Sequence, residues 1–461
     1  MKKLLVRLLP LAIACASVST LRSASVNPVI YWNGVAAAAL AAATSPAPPG
    51  TPQPLPPIRP GQIGFLDLAM VQAAVHDAVQ AYEQRFEQYA GDFTEVDGSP
   101  QAAVAAAAHD VLMNLYANYP WVTADVEAKY MQYLADNDLA SDPGIIAGQH
   151  AATNILNLRA NDGRFANVPA FTGGTAPGEW RPTESFNLPP GAPPGTPPGP
   201  PPSFLPMAVP WLGNVLPFTL VSPTQFRADP PPALTSPEYT RAFDEVKALG
   251  LLTSPSRTAA QTDMAYFYAD NFVLLLNRGI NAIATEHVSG MGDAARLFAL
   301  ACLAAADSGI TAWDSKKYYD FWRPLTAIRE GDNDTNSRTV GDPNWKPLIN
   351  TPNYPDYTSG ANNITGAVTK TLALFFKGDK MTFTLHSNYP LAVQKDRTYT
   401  HFSDAAQDVV NVRILQGIHF RFADEAARRQ GREVAKWTYH HFLRPLQGQD
   451  DSDDEGEDET N

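Results

Sequence analysis

The stretch "YPDYTSGANNITGAV", residues 354–368, places a Ser-Gly pair directly before apolar residues at helical spacing. Ser359 is a suitable cap for a helix and carries a hydroxyl donor, while Gly360 lets an oxyanion approach the backbone closely. Backbone N–H groups at the start of a helix bind anions. The stretch therefore predicts a helix that begins next to Gly360 and offers its first turn to an oxyanion.

Helical periodicity extends from this stretch in both directions, whereas alternating strand patterns are scarce. Ser236-Pro237 is a typical helix start, and Gly378 is typical of a helix end. The sequence therefore predicts an all-α fold of about ten helices. Their apolar patterns run over residues 71–82, 104–115, 124–140, 143–159, 237–249, 258–277, 292–313, 362–377, 403–416 and 424–442.

Pro-rich segments divide the helical chain. Residues 172–235 include "LPPGAPPGTPPGPPPSFLP", which favours an extended crossover with polyproline character. This crossover separates an N-terminal helical half, residues 61–171, from a C-terminal helical half, residues 236–447. A Pro- and Ala-rich linker, residues 26–60, is expected to precede the first helix.

The two ends of the chain differ sharply in charge. Residues 1–25 begin with Lys2, Lys3 and Arg7 and continue into an apolar run, which is typical of a signal peptide. Cys15 leaves lipid attachment open as an alternative. Residues 448–461 form an acidic tail that we expect to be disordered. We therefore expect an exported protein, periplasmic or secreted, without a membrane span. Once the signal is removed, Cys302 is the remaining cysteine, and its apolar neighbours indicate a core position.

The charge of the chain bears on which class of partner the protein is expected to bind. The formal net charge is −13, and no basic patch favours nucleic acid. Nucleic acid is therefore not an expected partner, and oligomerisation to a homodimer is left open.

Two cations lie in "WDSKKYYDFWRPLTAIRE", residues 313–330. Lys316 and Arg323 are seven residues apart, which is two turns of a helix, so on one continuous helix they point the same way. Pro324 is expected to end or bend that helix just after Arg323. Taken alone, the pair is also compatible with solvated surface charges.

A third cation lies in "VNVRILQGIHFRF", residues 410–422. Arg413 and Gly417 are one helical turn apart. On an unbroken helix His419 would lie about 120° away from Arg413, so a break at Gly417 is needed to bring the two side chains together. Taken alone, His419 is also compatible with a hydrogen-bonded core histidine.

Together, the order Lys-x6-Arg-Pro, Ser-Gly at a helix start and Arg-x3-Gly-x-His resembles the signature of the vanadium-dependent haloperoxidase and type 2 phosphatidic acid phosphatase (PAP2) superfamily. The stretches "LDLAMVQAAVHDAVQAYE", "WLGNVLPFTLVSP" and "GIHFRF" resemble its exported bacterial haloperoxidase-like branch, so the resemblance covers residues 60–445. It implies an all-α fold of two four-helix-bundle-like halves that holds vanadate or phosphate near the end of one bundle.

The resemblance also implies roles for individual residues. His419 matches the histidine that bonds vanadium in the peroxidases and attacks phosphorus in the phosphatases. Three cations suit a tetrahedral oxyanion, and guanidinium groups offer it paired donors. Trp313, Ala361 and Asn362 are expected to line the pocket. The residues implied to hold the oxygens of the anion are Lys316, Arg323, Ser359, Gly360 and Arg413.

One position departs from the family pattern. The family continues Ser-Gly-His with a histidine that serves as general acid or base, and Ala361 stands at that place. A positioned acid or base contributes about 10² to 10⁴-fold in rate. The departure therefore predicts anion binding with impaired or altered turnover. His386 and His401 are conceivable substitutes, provided that the loop over residues 378–402 folds over the pocket.

Three functions remain open on the sequence. The first is a haloperoxidase that uses vanadate at His419 to activate hydrogen peroxide toward a halide. The second is a phosphomonoesterase that acts on a phosphate ester through a phosphohistidine at His419. The third is a non-catalytic oxyanion-binding protein.

Overall fold

A computed structural model describes residues 26–95, 97–185 and 203–446. The predicted signal peptide with Cys15, the acidic tail and most of the Pro-rich run lie outside the described residues. The helices are α1 Pro28–Ala43, α2 Gly64–Glu83, α3 Pro100–Leu115, α4 Pro120–Asp136, α5 Gly144–Leu158, α6 Pro237–Leu249, α7 Ala259–Phe267, α8 Phe272–His287, α9 Met291–Tyr319, α10 Pro324–Arg329, α11 Gly360–Phe375, α12 Phe402–Leu415 and α13 Arg421–His441.

The prediction of a mainly helical fold is confirmed, and each predicted pattern corresponds to helix in the structure. Ser236 caps α6, with its hydroxyl oxygen accepting from the amide of Tyr239 at 3.1 Å. The pattern over residues 258–277 is wrong as one helix, because the chain breaks between α7 and α8. Asn271 causes the new start, since its side-chain oxygen accepts from the amide of Leu274 at 3.3 Å.

The beginning of the expected linker is a helix instead. The helix α1 follows Asn27, whose side chain accepts from the amide of Val29 at 3.0 Å, and Pro28 takes the first helical position. Its Ala-rich sequence allows close packing, and Trp32 is fully buried. Asn33 accepts a hydrogen bond from Gln72 on α2 and exchanges hydrogen bonds with Asn277 on α8. The compositional argument for a linker missed this start signal, so the linker prediction holds at most beyond α1.

The segment over residues 378–402 is also more ordered than the predicted loop. It forms an antiparallel hairpin of β1, Lys380–His386, and β2, Asp396–His401. Phe383 and Leu385 are buried, whereas the alternate residues are exposed. The hairpin packs one face on the helices and turns the other to solvent.

The 29-residue helix α9 forms the centre of the fold. It packs against α2 of the N-terminal half and against α11 and α13 of the C-terminal half. Its length and apolar composition would suit a membrane span, but protein covers its apolar window completely. Cys302 on this helix is fully buried, as predicted. The end of α9 leads directly into the segment that carries Lys316 and Arg323.

Candidate oxyanion site

Lys316 and Arg323 do not lie on one continuous helix, and that part of the sequence prediction is wrong. The helix α9 ends at Tyr319, because Asp320 adopts a left-handed conformation with φ 46°. Arg323 is the residue that precedes α10, and Pro324 is the first residue of that helix. The turn between the helices nevertheless brings both cations to one place, where each is fully buried.

Backbone carbonyl oxygens hold both cations from the segment that precedes Ser359. Lys316 Nζ donates to the carbonyls of Pro355 and Asp356 at 2.7 and 3.0 Å. Arg323 Nε donates to the carbonyl of Tyr354 at 2.7 Å. The Tyr354 ring also lies 5.0 Å from Lys316 Nζ and 4.8 Å from the guanidinium carbon of Arg323. These contacts fix the two cations without using all of their donors.

The helix α11 begins at Gly360, as the opening stretch predicts. Ser359 precedes it, yet its side chain makes no capping hydrogen bond, so it caps the helix by position only. A Cβ added to Gly360 would lie 3.1 Å from Trp313 Cζ3. Trp313 is itself 3% exposed. Gly360 therefore allows the indole ring to pack closely against the start of α11.

The predicted break at Gly417 is confirmed. The helix α12 ends at Leu415, and Gly417 has φ +79°. The turn returns the chain to the cluster, where Arg323 Nη1 donates to the carbonyl of Ile418 at 2.6 Å. Arg323 Nη1 also lies 3.0 Å from Nε2 of His419, which is 1% exposed. Burial, followed by the charges of Arg323 and Lys316, holds the pKa of His419 well below its ordinary value.

Gly417→Ala is expected to destabilise the protein by about 2 to 4 kcal/mol, because alanine resists a positive φ and its Cβ would overlap the backbone. The added Cβ would lie 2.5 Å from the Gly250 carbonyl oxygen. Urea unfolding measures the change in free energy. Gly309→Ala is the matched control, since its Cβ meets nothing within 4 Å, and we expect it to be neutral or stabilising. Equal effects of the two substitutions would contradict this account of the turn.

Two carboxyl groups that sequence reasoning missed complete the cluster. Asp356 Oδ1 lies 2.8 Å from His419 Nδ1 and 3.6 Å from Arg323 Nη1. Asp424, on the first turn of α13, accepts from the side-chain amide of Asn362 at 2.8 Å. Both carboxyl groups are fully buried. Their positions, three residues before Ser359 and five after His419, were the only signal in the sequence.

Burial changes the charge balance of this cluster. It raises the pKa of Asp356 to about 7, although Arg323 and Lys316 oppose the shift. It raises the pKa of Asp424 well above its ordinary value, and the Ser359 hydroxyl and the Asn362 amide oppose that shift. Burial also lowers the pKa of Lys316 far below its usual range. A bound anion would favour the charged form of Lys316 and so oppose the effect of burial on its pKa.

Some residues near the buried cluster are only half-buried. Arg413, on the last turn of α12, donates through Nη1 to the side-chain oxygen of Gln416 at 2.8 Å. Arg413, Tyr354 and Ala361 are all half-buried, whereas Ser359 and Asn362 are fully buried. Arg413, Tyr354 and Ala361 are therefore the more exposed members of this set of residues. The structure thus brings together every residue predicted to hold the anion.

The two histidines considered as substitutes lie on the solvent side of the hairpin. His386 Nδ1 lies 2.7 Å from Asp396, and His401 Nδ1 lies 3.2 Å from Asp404. Their side chains are 49% and 42% exposed. This placement gives neither histidine a role at the buried cluster.

Comparisons with known proteins agree on the fold and its C-terminal half. Residues 296–448 match the family model of the VCPO second helical-bundle domain. A vanadium chloroperoxidase from Curvularia inaequalis is 27% identical over 202 residues, which cover 37% of this chain and 32% of that protein. The match therefore spans about a third of the length of that relative.

Two solved structures extend the likeness across nearly the whole chain. A bacterial vanadium-dependent iodoperoxidase aligns with a TM-score of 0.72 at 21% identity, covering 92% of this chain and 99% of its own. A holo-type bacterial vanadium-dependent chloroperoxidase aligns with a TM-score of 0.66 at 16% identity, covering 82% and 91%. Both likenesses concern the fold.

Proposed function

Because the chain belongs to the vanadium haloperoxidase and type 2 phosphatidic acid phosphatase superfamily, we propose that its buried cluster binds vanadate and supports a haloperoxidase-type oxidation. The observation that carries the proposal is the convergence of Lys316, Arg323 and His419 with the start of α11. Bound vanadate would supply Lewis-acid activation of hydrogen peroxide toward a halide.

The donors of the cluster fit a tetrahedral oxyanion. Within the described part of the chain, Arg323 Nη2 and Arg413 Nε are buried and have no hydrogen-bond partner. Buried guanidinium donors of this kind are costly unless a ligand satisfies them. The hydroxyl of Ser359 and the first amides of α11 add neutral donors beside them. These groups would hold the oxygens of the anion.

His419 is suited to bond the central atom of the anion. Its lowered pKa keeps the imidazole neutral, so one ring nitrogen carries a lone pair. Asp356 Oδ1 lies 2.8 Å from Nδ1, and Arg323 Nη1 lies 3.0 Å from Nε2. The anion would bond Nε2 by taking the place of the Arg323 guanidinium there, while Asp356 would face the other ring nitrogen.

The same observation favours a second candidate, a phosphomonoesterase. A carboxylate beside one nitrogen of a buried histidine is also the arrangement that orients a nucleophile. His419 Nε2 would then attack phosphorus, and water would resolve the phosphohistidine. Ala361 stands where the family has its acid or base histidine. This weighs against the reaction, because an alkoxide leaving group requires a proton.

The expected partners and location complete the proposal. Hydrogen peroxide and a halide are the proposed substrates of the first function, and a phosphate ester is that of the second. The basic and apolar sequence of residues 1–25 supports export to the periplasm or medium.

Three assays on one preparation separate the functions. The protein is purified without phosphate and loaded with orthovanadate, and binding is followed by calorimetry. We expect bromide-dependent halogenation of a dye after loading and little hydrolysis of p-nitrophenyl phosphate by the unloaded protein. Hydrolysis without halogenation would establish the phosphatase instead. Tight binding with neither activity would identify an oxyanion-binding protein, and lack of binding would reject all three.

A further inference from the structure

Asp424 raises a problem for any anion site, because it places a carboxyl group among the cations. Its Oδ1 accepts from Asn362, while its Oδ2 is buried and has no hydrogen-bond partner among the described residues. The side chain has no exposed surface. A carboxylate oxygen can only accept hydrogen bonds, so an unpartnered one calls for a donor.

The charged groups around Asp424 come from several different segments of the chain. Three cations and one further carboxyl group are near enough to interact with it electrostatically, and Arg421 on its own helix adds a fourth cation nearer to solvent. These groups are Lys316, Arg323, Arg413, Asp356 and Arg421. Asp424 thus lies among the cations that would hold the anion and beside the Ser359 hydroxyl.

We propose that Asp424 determines the anion specificity of this site, because its unpartnered Oδ2 accepts a hydrogen bond from a hydroxyl of the bound oxyanion. The inference rests on the proposed oxyanion function and names its ligand class. Phosphate, arsenate and vanadate carry a proton on oxygen near neutral pH and can donate to Asp424. Sulfate is fully deprotonated and has the same shape, yet it can offer only acceptors.

The expected difference in affinity between phosphate and sulfate follows from the burial of the acceptor oxygen of Asp424. A site built to bond a ligand hydroxyl rejects analogues without it by up to about 10⁴ to 10⁵-fold, because its buried polar group is left unpaired. Burial raises the pKa of Asp424, so a carboxyl proton can replace the missing hydroxyl at low pH. We therefore expect sulfate to bind at least about 10²-fold more weakly than phosphate at mildly alkaline pH, with the ratio shrinking in acid.

Asp424→Asn tests the assignment directly. The amide supplies a donor in place of the acceptor, so sulfate should gain affinity until it binds within about tenfold of phosphate. Calorimetric titrations with phosphate and sulfate, at equal ionic strength and without other oxyanions, give both affinities. Asp424→Ser also removes the carboxylate with a smaller side chain and carries the same expectation. Glu425→Gln is the matched control, since Glu425 is 41% exposed on the same helix and should leave the ratio unchanged.

Each outcome decides one question. Wild-type protein that binds sulfate as tightly as phosphate overturns the inference but leaves the oxyanion function standing. Failure to bind any of the oxyanions rejects the oxyanion function itself. A variant at Asp424 that folds and keeps the wild-type ratio, or a control that changes the ratio equally, overturns the role of Asp424. The wild-type ratio decides the specificity even where a variant does not fold.

Discussion

His419→Ala is expected to lower any halogenation or hydrolysis by at least about 10³-fold, the largest loss expected at this site. The substitution removes the ring nitrogen that would bond vanadium or phosphorus. It leaves Lys316 and Arg323 in place, because backbone carbonyls hold both of them. Phosphate binding should therefore weaken much less than turnover. Steady-state rates and calorimetric affinities, measured on the same preparation, separate the two effects.

The control for this substitution is His401→Ala. His401 lies at the end of β2 with its side chain 42% exposed, so its loss should leave rate and affinity unchanged. Circular dichroism and urea unfolding establish that His419→Ala keeps its fold. Undiminished activity in folded His419→Ala would remove both enzymatic functions from this site.

The sequence predicts this cluster well wherever the chemistry is local. The Ser-Gly pair starts α11, and Gly417 breaks the chain before His419, because both depend on the conformational needs of a few neighbouring residues. The seven-residue spacing of Lys316 and Arg323 correctly predicted that the two cations lie together, but it attributed this to one continuous helix. The left-handed Asp320 ends α9 early, and tertiary contacts with residues 354–356 bring the cations together instead.

Helical periodicity in the sequence could not predict features that depend on contacts between distant residues. Asp356 and Asp424 are 68 residues apart by their numbers and meet only because α11 packs against α13. Their burial, which raises both pKa values, is a property of the assembled bundle. Helix α1 was missed because Ala-rich and Pro-rich composition obscured its start at Asn27-Pro28. The hairpin was missed because a short apolar alternation between two helices resembles an irregular loop.

The family pattern has a histidine where this chain has Ala361, and this difference leads to the second prediction with a large expected effect. Ala361 is the second residue of α11 and is half-buried. Fully buried neighbours lie on either side of it in the chain, Gly360 before and Asn362 after. By the family resemblance, a histidine side chain at this position would be placed to exchange protons with the bound substrate.

Ala361→His is therefore expected to raise turnover by about 10² to 10⁴-fold, the range of a positioned acid or base. That gain corresponds to about 3 to 5 kcal/mol of activation free energy. Oxyanion affinity should change little, because the groups that hold the anion are untouched. The measurement is the rate of bromide-dependent halogenation with saturating vanadate, and its pH profile should acquire a new inflection near the pKa of the introduced imidazole.

Ala373→His provides the matched control on the same helix. Ala373 is also half-buried but lies twelve residues further along α11, which is about 18 Å from Ala361. It should leave the rate and the pH profile unchanged. A folded Ala361→His variant without gain would mean that another group already fills this role or that the site serves a different reaction.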